Sequence, residues 1–166
     1  MVTSCLTDTG GLGRAVANLA NHLAEVFPAV TVVGPSRREG QQSWKLRRVQ
    51  PHTRQSFKSC ITLATYPMRA EWKHRLQSGA EITTALEAAC TDQTTTTIHI
   101  HGIWTHTARD AMNYAWKRGI RTVVSPHGML QPSALGHHRF RKQLAWSLGV
   151  RRELSKAEFF HAASPI

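Results

Sequence analysis

TTTTIHIHGIWTHTARDAMNYAWKRGIRTVVSPHGML, residues 94–130, reads as a strand, a helix and a second strand in direct succession. Thr94 to Ile100 is a β-branched run, which suits a pleated surface. Thr107 to Arg118 has helical character, and Gly119 stands where a C′ glycine ends a helix. Arg121 to Ser125 then supplies the next strand. Both strands leave through polar, glycine-bearing tips, Ile98-His99-Ile100-His101-Gly102-Ile103-Trp104 and Ser125-Pro126-His127-Gly128-Met129-Leu130.

The same alternation continues outward in both directions. Upstream, Gly10-Gly11-Leu12-Gly13-Arg14 opens a helix whose apolar residues Leu12, Val16, Leu19, Ala20, Leu23, Ala24 and Phe27 keep a 3.6-residue period until Pro28. A strand over Val30–Gly34 follows and is expected to end at the Gly34-Pro35 turn signal. Only Met1 to Thr9 precedes the glycines, with Val2 and Leu6 the strong β candidates, so the first strand is expected to be lost or shortened. Ser36 to Gln55 reads as a polar, basic surface excursion holding one weak strand candidate, Trp44 to Val49. Helices are predicted over Arg69–Gln77 and Ala80–Ala89, parted by Ser78-Gly79. Downstream, a single helix over Arg139–Leu154 leads to a short edge or inner strand over Glu158–Ala162. Strands alternating with helices predict an α/β domain with a doubly wound parallel sheet spanning residues 1–166.

In such sheets ligands bind beyond the carboxyl ends of the strands, so three polar tips point to one shared site. Gly10, Gly11 and Gly13 allow close backbone approach, and the helix they open presents unpaired N–H groups to an anion, a diphosphate above all. The pattern is neither a full G-x-G-x-x-G nor a P-loop, and on its own it fits an ordinary tight turn equally well. His99 and His101 alternate along a strand and share a face. An H-x-H pair suits a metal, but three or four ligands must converge and only Asp110 lies nearby, so a hydrogen-bonded strand exit is the preferred reading. His127, held between Pro126 and Gly128, is expected to stand in the crevice with an imidazole able to donate or accept a hydrogen bond; the plainer alternative is a histidine capping a loop. On the Arg139–Leu154 helix, Phe140, Leu144 and Leu148 form what reads as the dry stripe. Arg139, Lys142 and Trp146 form a second face, read as solvated surface, with a lipid-phosphate contact as the alternative.

Composition narrows the partners. The 166 residues carry a formal charge of +11 and five tryptophans, with 41% apolar residues, enough for one folded domain. That charge attracts nucleic acid, anionic lipid or diphosphate sugars. Its basic stretches, Arg37 to Lys58 and Arg139 to Lys156, lack the aromatic signature of an RNA-binding sheet and the spacing of a zinc module, which argues against nucleic acid. Cys5, Cys60 and Cys90 are odd in number and without C-x-x-C spacing, which fits a reducing cytosol. No leader pattern opens the chain and no apolar run reaches the roughly 18 residues of a membrane span, so peripheral contact is the membrane mode left open.

Taken together, Gly10-Gly11 with the helix Arg14 to Glu25, the strand Val30 to Val33, His99-Ile-His-Gly-Ile-Trp104, Ser125-Pro-His-Gly-Met-Leu130 and Lys142-Gln-Leu-Ala-Trp146 resemble the N-terminal domain of family 4 glycosyltransferases, in order and in spacing. The resemblance covers nearly the whole chain except Ser36 to Ala80. It implies the Rossmann-like N-terminal, acceptor-binding half of a GT-B architecture, with the donor-binding domain outside this sequence. It implies a metal-independent, cofactor-free transfer of a hexose, with retention, from a nucleoside diphosphate sugar to a saccharide or lipid-linked acceptor in surface polysaccharide synthesis. In that scheme the loop of Gly10, Gly11 and Gly13 closes toward the donor diphosphate, and His127 contacts the transferred sugar. His101, Gly102, Trp104, Gly128, Met129 and Lys142 belong to the acceptor side of the cleft. The domain alone is then expected to be inactive and to need a donor domain, as a separate polypeptide or otherwise. Its expected place is the cytoplasm, peripherally on the inner face of the membrane. The competing reading is a non-catalytic basic α/β module for nucleic acid or anionic lipid, whose binding would weaken steeply with salt.

Overall fold

The computed structural model describes residues 1–3, 11–36, 45–48, 61–67, 79–90 and 96–162. Its strands are β1 (Val2–Thr3), β2 (Thr31–Ser36), β3 (Lys45–Arg48), β4 (Thr62–Pro67), β5 (Thr97–His101), β6 (Arg121–Ser125) and β7 (Phe159–Phe160). They form a sheet in the order β3-β4-β2-β1-β5-β6-β7, antiparallel at β3 and parallel elsewhere. The chain builds one wing outward from β1 and then returns to build the other from β5, so the topological switch lies between β1 and β5. The architecture is α/β, of the Rossmann-like kind expected.

Period-two alternation divides the core between two faces. On β2, Val32 packs with Val16, Ala17 and Ala20 of helix α1 (Gly11–Val26). Its neighbour Val33 joins the larger cluster on the other face, with Ile98 and Ile100 of β5 and Val124 of β6. Helices α2 (Ala80–Ala89) and α3 (His106–Lys117) cover that second face through Ala85, Leu86, Ala111 and Ala115, small enough to let the helices lie close to the sheet. The Thr105 side chain caps α3 by accepting from the Ala108 N–H. Gly119, at φ 65°, ends it, with Ile120 N bonded to Ala115 O and Gly119 N to Trp116 O, the paired bonds of a Schellman stop.

Several expectations need correction. The strand over Val30–Gly34 does not stop at Gly34-Pro35 but runs on to Ser36. Val33 N donates to Met1 O, so Pro35, two residues on, turns its missing N–H to that same β1 side, where the two-residue β1 demands no bond from it. Strand β4 was not anticipated; Ile61 and Ala64 are buried there. β1 is short, as expected, yet central, pairing with both β2 and β5. The weak candidate at 44–49 is the edge strand β3, whereas the helix predicted over 69–77 lies outside the described residues, as do Gly10, Cys5 and Cys60.

The single helix predicted over Arg139–Leu154 is broken. After α4 (Pro132–Gly136) the chain forms α5 (Arg139–Ala145), a wider turn over Trp146–Val150, and α6 (Arg151–Leu154). Gly149 makes the break at φ 153°, a conformation that side chains beyond glycine rarely adopt. Leu154, 5% exposed, fastens the end of this segment to the core. The stripe expected to be dry is exposed instead: Phe140 by 85%, Leu144 by 60% and Leu148 by 76%.

Candidate functional site

Thr3 pairs with His101 and His101 with Ser125, so the three parallel strands β1, β5 and β6 reach their carboxyl ends at one level. Beyond that rim lie the three tips singled out from the sequence. Gly11 is the first residue of α1 and Gly13 lies in its first turn, where the helical N–H groups lack intrahelical partners. Gly10 falls outside the described residues.

The β6 tip is a tight turn. Met129 N bonds to Pro126 O at 3.0 Å, and the two central residues, His127 at φ 49° and Gly128 at φ 75°, are both left-handed, as in a type I′ turn. Glycine takes that conformation freely, while for histidine it is uncommon and mildly strained. Its effect is to turn the imidazole back over the end of β5.

There it meets His101. Nδ1 of His101 lies 2.8 Å from Nε2 of His127, and the two rings stack with centroids 5.1 Å apart. His101 is 1% exposed, and burial first, then the neighbouring histidines, pushes its pKa far down, so the ring is neutral. Burial also lowers His127, with a further push from His161. One proton must therefore be shared across the contact. The second nitrogen of His101, Nε2, is buried without a hydrogen-bond partner among the described residues. An orphaned lone pair there costs less than an orphaned N–H, so the favoured tautomer has His101 Nδ1–H donating to His127 Nε2. His127 then carries its own proton on Nδ1, ready to donate to a ligand oxygen.

A second chain of contacts supports the first. His99 stacks on His101 with centroids 4.3 Å apart, and its Nε2 lies 2.7 Å from Ser125 Oγ, which is 2.8 Å from Nδ1 of His161. Ser125 is fully buried, and its hydroxyl donates to one ring while accepting from the other. Burial brings His99 down to about 4, assisted by the chain's amino terminus and by His161 and His127. Because Ile98 and Ile100 face α3, all of these side chains lie on the opposite face of the sheet. Sequence reasoning did not place Ser125 or His161 in the site. The alternation of His99 with His101 was visible, but joining Ser125 and His161 to it requires strand register. Among the described residues, no group of three or more His, Cys, Asp or Glu side chains is disposed to hold a metal ion.

The β5 tip carries the cleft wall. Gly102, at φ 84°, bonds through its N–H to Ser125 O, and a Cβ there would stand 3.1 Å from Met129 Cε. Trp104 donates its indole N–H to Met129 O at 3.2 Å, tying the two tips together. Lys142 reaches across from α5: its ammonium donates to Ala134 O and lies 5.8 Å from the Trp104 ring centre. Trp146 lies 6.2 Å from Trp104, centroid to centroid. The face of α5 that was read as plain solvated surface therefore walls a groove of about 690 Å³, lined by Trp104, Leu130, Leu135, Arg139, Lys142 and Trp146. Aromatic walls with two cations at the margin fit a polar ring carrying an anionic group. So the structure joins His101, Gly102, Trp104, His127, Gly128, Met129 and Lys142 into one site and sets Gly11 and Gly13 on the helix that opens beyond the same rim.

Residues 10–166 match the family model described as a glycosyl transferase 4-like domain. None of the curated proteins matches the chain. No helix among the described residues is long and apolar enough to cross a membrane.

Proposed function

The chain belongs to the glycosyl transferase 4-like family, and on that premise we propose that it forms the acceptor side of a retaining hexosyltransferase. The donor is a nucleoside diphosphate sugar, the acceptor a saccharide or lipid-linked saccharide of surface polysaccharide synthesis, and the reaction runs on the cytoplasmic side. A donor-binding domain, in the same polypeptide or another, completes the cleft.

The observation that carries this reading is the His101–His127 contact at the rim where β1, β5 and β6 end. It presents a neutral imidazole N–H beside an aromatic, cationic groove and beyond the same rim as a glycine-opened helix start. Each part has a task in glycosyl transfer. The first turn of α1, with Gly11 and Gly13, offers N–H groups and the positive end of a helix dipole to the leaving diphosphate, where negative charge grows. His127 Nδ1–H donates to a hydroxyl of the transferred sugar and fixes its orientation. Trp104 and Trp146 cover the apolar faces of the acceptor rings, and Arg139 and Lys142 take any phosphate that the acceptor carries. Orientation of both substrates provides much of the rate in such a reaction. A domain holding only the acceptor is therefore inactive by itself.

The test is hexose transfer from labelled UDP- and GDP-sugars to saccharide and lipid-linked acceptors, with a donor-binding domain present. His127→Ala should lower kcat by about 100-fold or more. Transfer at the unchanged rate would remove His127 from the site, and no transfer from any donor would overturn the activity itself.

A further inference from the structure

The outer side of α5 is at odds with an ordinary solvated helix. Phe140, Leu144 and Leu148 recur every four residues, and all three are exposed, whereas the opposite side of the same segment, with Lys142 and Trp146, packs toward Trp104. An apolar stripe of this kind in a folded domain marks a contact surface. Its surroundings identify the partner. Between Asp110 and Glu153 the sequence holds no carboxylate side chain but eight lysines and arginines. Arg139, Arg141, Arg151 and Arg152 are exposed, and none is in an ion pair among the described residues. Three large apolar side chains flanked by unneutralised guanidinium groups suit a surface that is itself apolar below a layer of negative charge. A protein partner would need an acidic rim around an apolar cleft, and nucleic acid offers no place for the stripe.

We propose that this face docks on an anionic phospholipid bilayer, with Phe140, Leu144 and Leu148 inserted below the headgroups and the flanking arginines at phosphate level. The stripe and the groove lie on opposite sides of one helix, so docking holds the groove mouth next to the membrane surface, within reach of an acceptor anchored there. The docking itself does not depend on the transferase reading, since it is measured without donor or acceptor.

The experiment is co-sedimentation of the whole chain with phosphatidylcholine vesicles that contain or lack phosphatidylglycerol. Binding should require phosphatidylglycerol and weaken as salt is raised. Replacing Phe140, Leu144 and Leu148 together by Ser should lower the partition coefficient about 100-fold, because three apolar side chains lose their insertion. The thermal unfolding midpoint should barely move, the three being exposed. Should that variant fail to fold, Arg141→Glu with Arg151→Glu keeps the stripe and should weaken binding about tenfold or more. Failure of the unaltered chain to bind phosphatidylglycerol vesicles at low salt would overturn the proposal. So would unchanged binding by the triple variant, or by the double one where the triple does not fold. A dimer that the triple variant dissolves, without vesicle binding, would assign the stripe to a second copy instead. Loss of vesicle binding with hexose transfer to a soluble acceptor intact would leave the enzymatic reading standing.

Discussion

Nδ1 of His101, the last residue of β5, lies 2.8 Å from Nε2 of His127, in the turn that follows β6. The buried ring is neutral and short of a partner at its other nitrogen, which settles which of the two residues donates. His101 therefore acts as a positioning residue: it holds the His127 tautomer that presents Nδ1–H to the cleft.

Removing that donor should cost turnover more than binding. His101→Leu is expected to lower kcat by about 10- to 100-fold with KM changed much less, since a misoriented imidazole loses transition-state contact. His101→Asn, whose amide N–H can stand where Nδ1–H stood, should recover most of it. Steady-state transfer assays on both variants check this; equal losses in the two would reduce His101 to a packing role.

Acid should unfold the protein early. His99, lowered to about 4, and His101 and His127, lowered also, bind fewer protons in the folded chain than in the unfolded one, where the imidazole titrates near 6.5. Stability from these groups is thus complete above about pH 6.5 and is lost as pH falls from there toward 4. Thermal melts should be flat from about pH 7 to 8 and drop by roughly 5 °C or more between pH 6.5 and 4. Replacing His99 by Gln should make that slope shallower.

Gly102 joins the two tips through a left-handed backbone. Gly102→Ala should destabilise the domain by about 1–2 kcal/mol, from φ 84° and from the added Cβ, 3.1 Å from Met129 Cε. Urea unfolding measures this. The thioether end of Met129 can move aside, so most of the cost is in the backbone, and shortening Met129 to Ala should not relieve it.

Two leucines six turns of reasoning apart in the sequence pattern should behave oppositely. Leu154→Ala, at 5% exposure in the main core, should cost about 2–4 kcal/mol. Leu144→Ala, at 60% exposure, should stay within about 0.5 kcal/mol. Denaturant midpoints for the pair test the inverted faces of α5 directly.

Local patterns carried far in this chain. The Thr97–Ser125 unit, the helix over Ala80–Ala89 and the stop at Gly119 are readable because period, β-branching and a C′ glycine act within a few residues. β4 was missed although Ile61 and Ala64 are buried, since Thr62, Thr65 and Tyr66 blur its alternation and its worth comes from pairing with β2. Pro35 misled for a related reason: proline ends a strand only where its N–H is needed, and need depends on the neighbour.

From sequence alone came the α/β class, the three tips and the candidacy of His127, because glycine, proline and periodicity constrain the backbone that contains them. Only tertiary structure decided which side chains meet. His101 reaches His127 across 26 residues through strand register, Ser125 links His99 to His161 for the same reason, and Gly149 breaks the last helix so that its apolar stripe faces outward. Amphipathic spacing states that a helix has two faces; which one is covered depends on the direction in which the chain arrives.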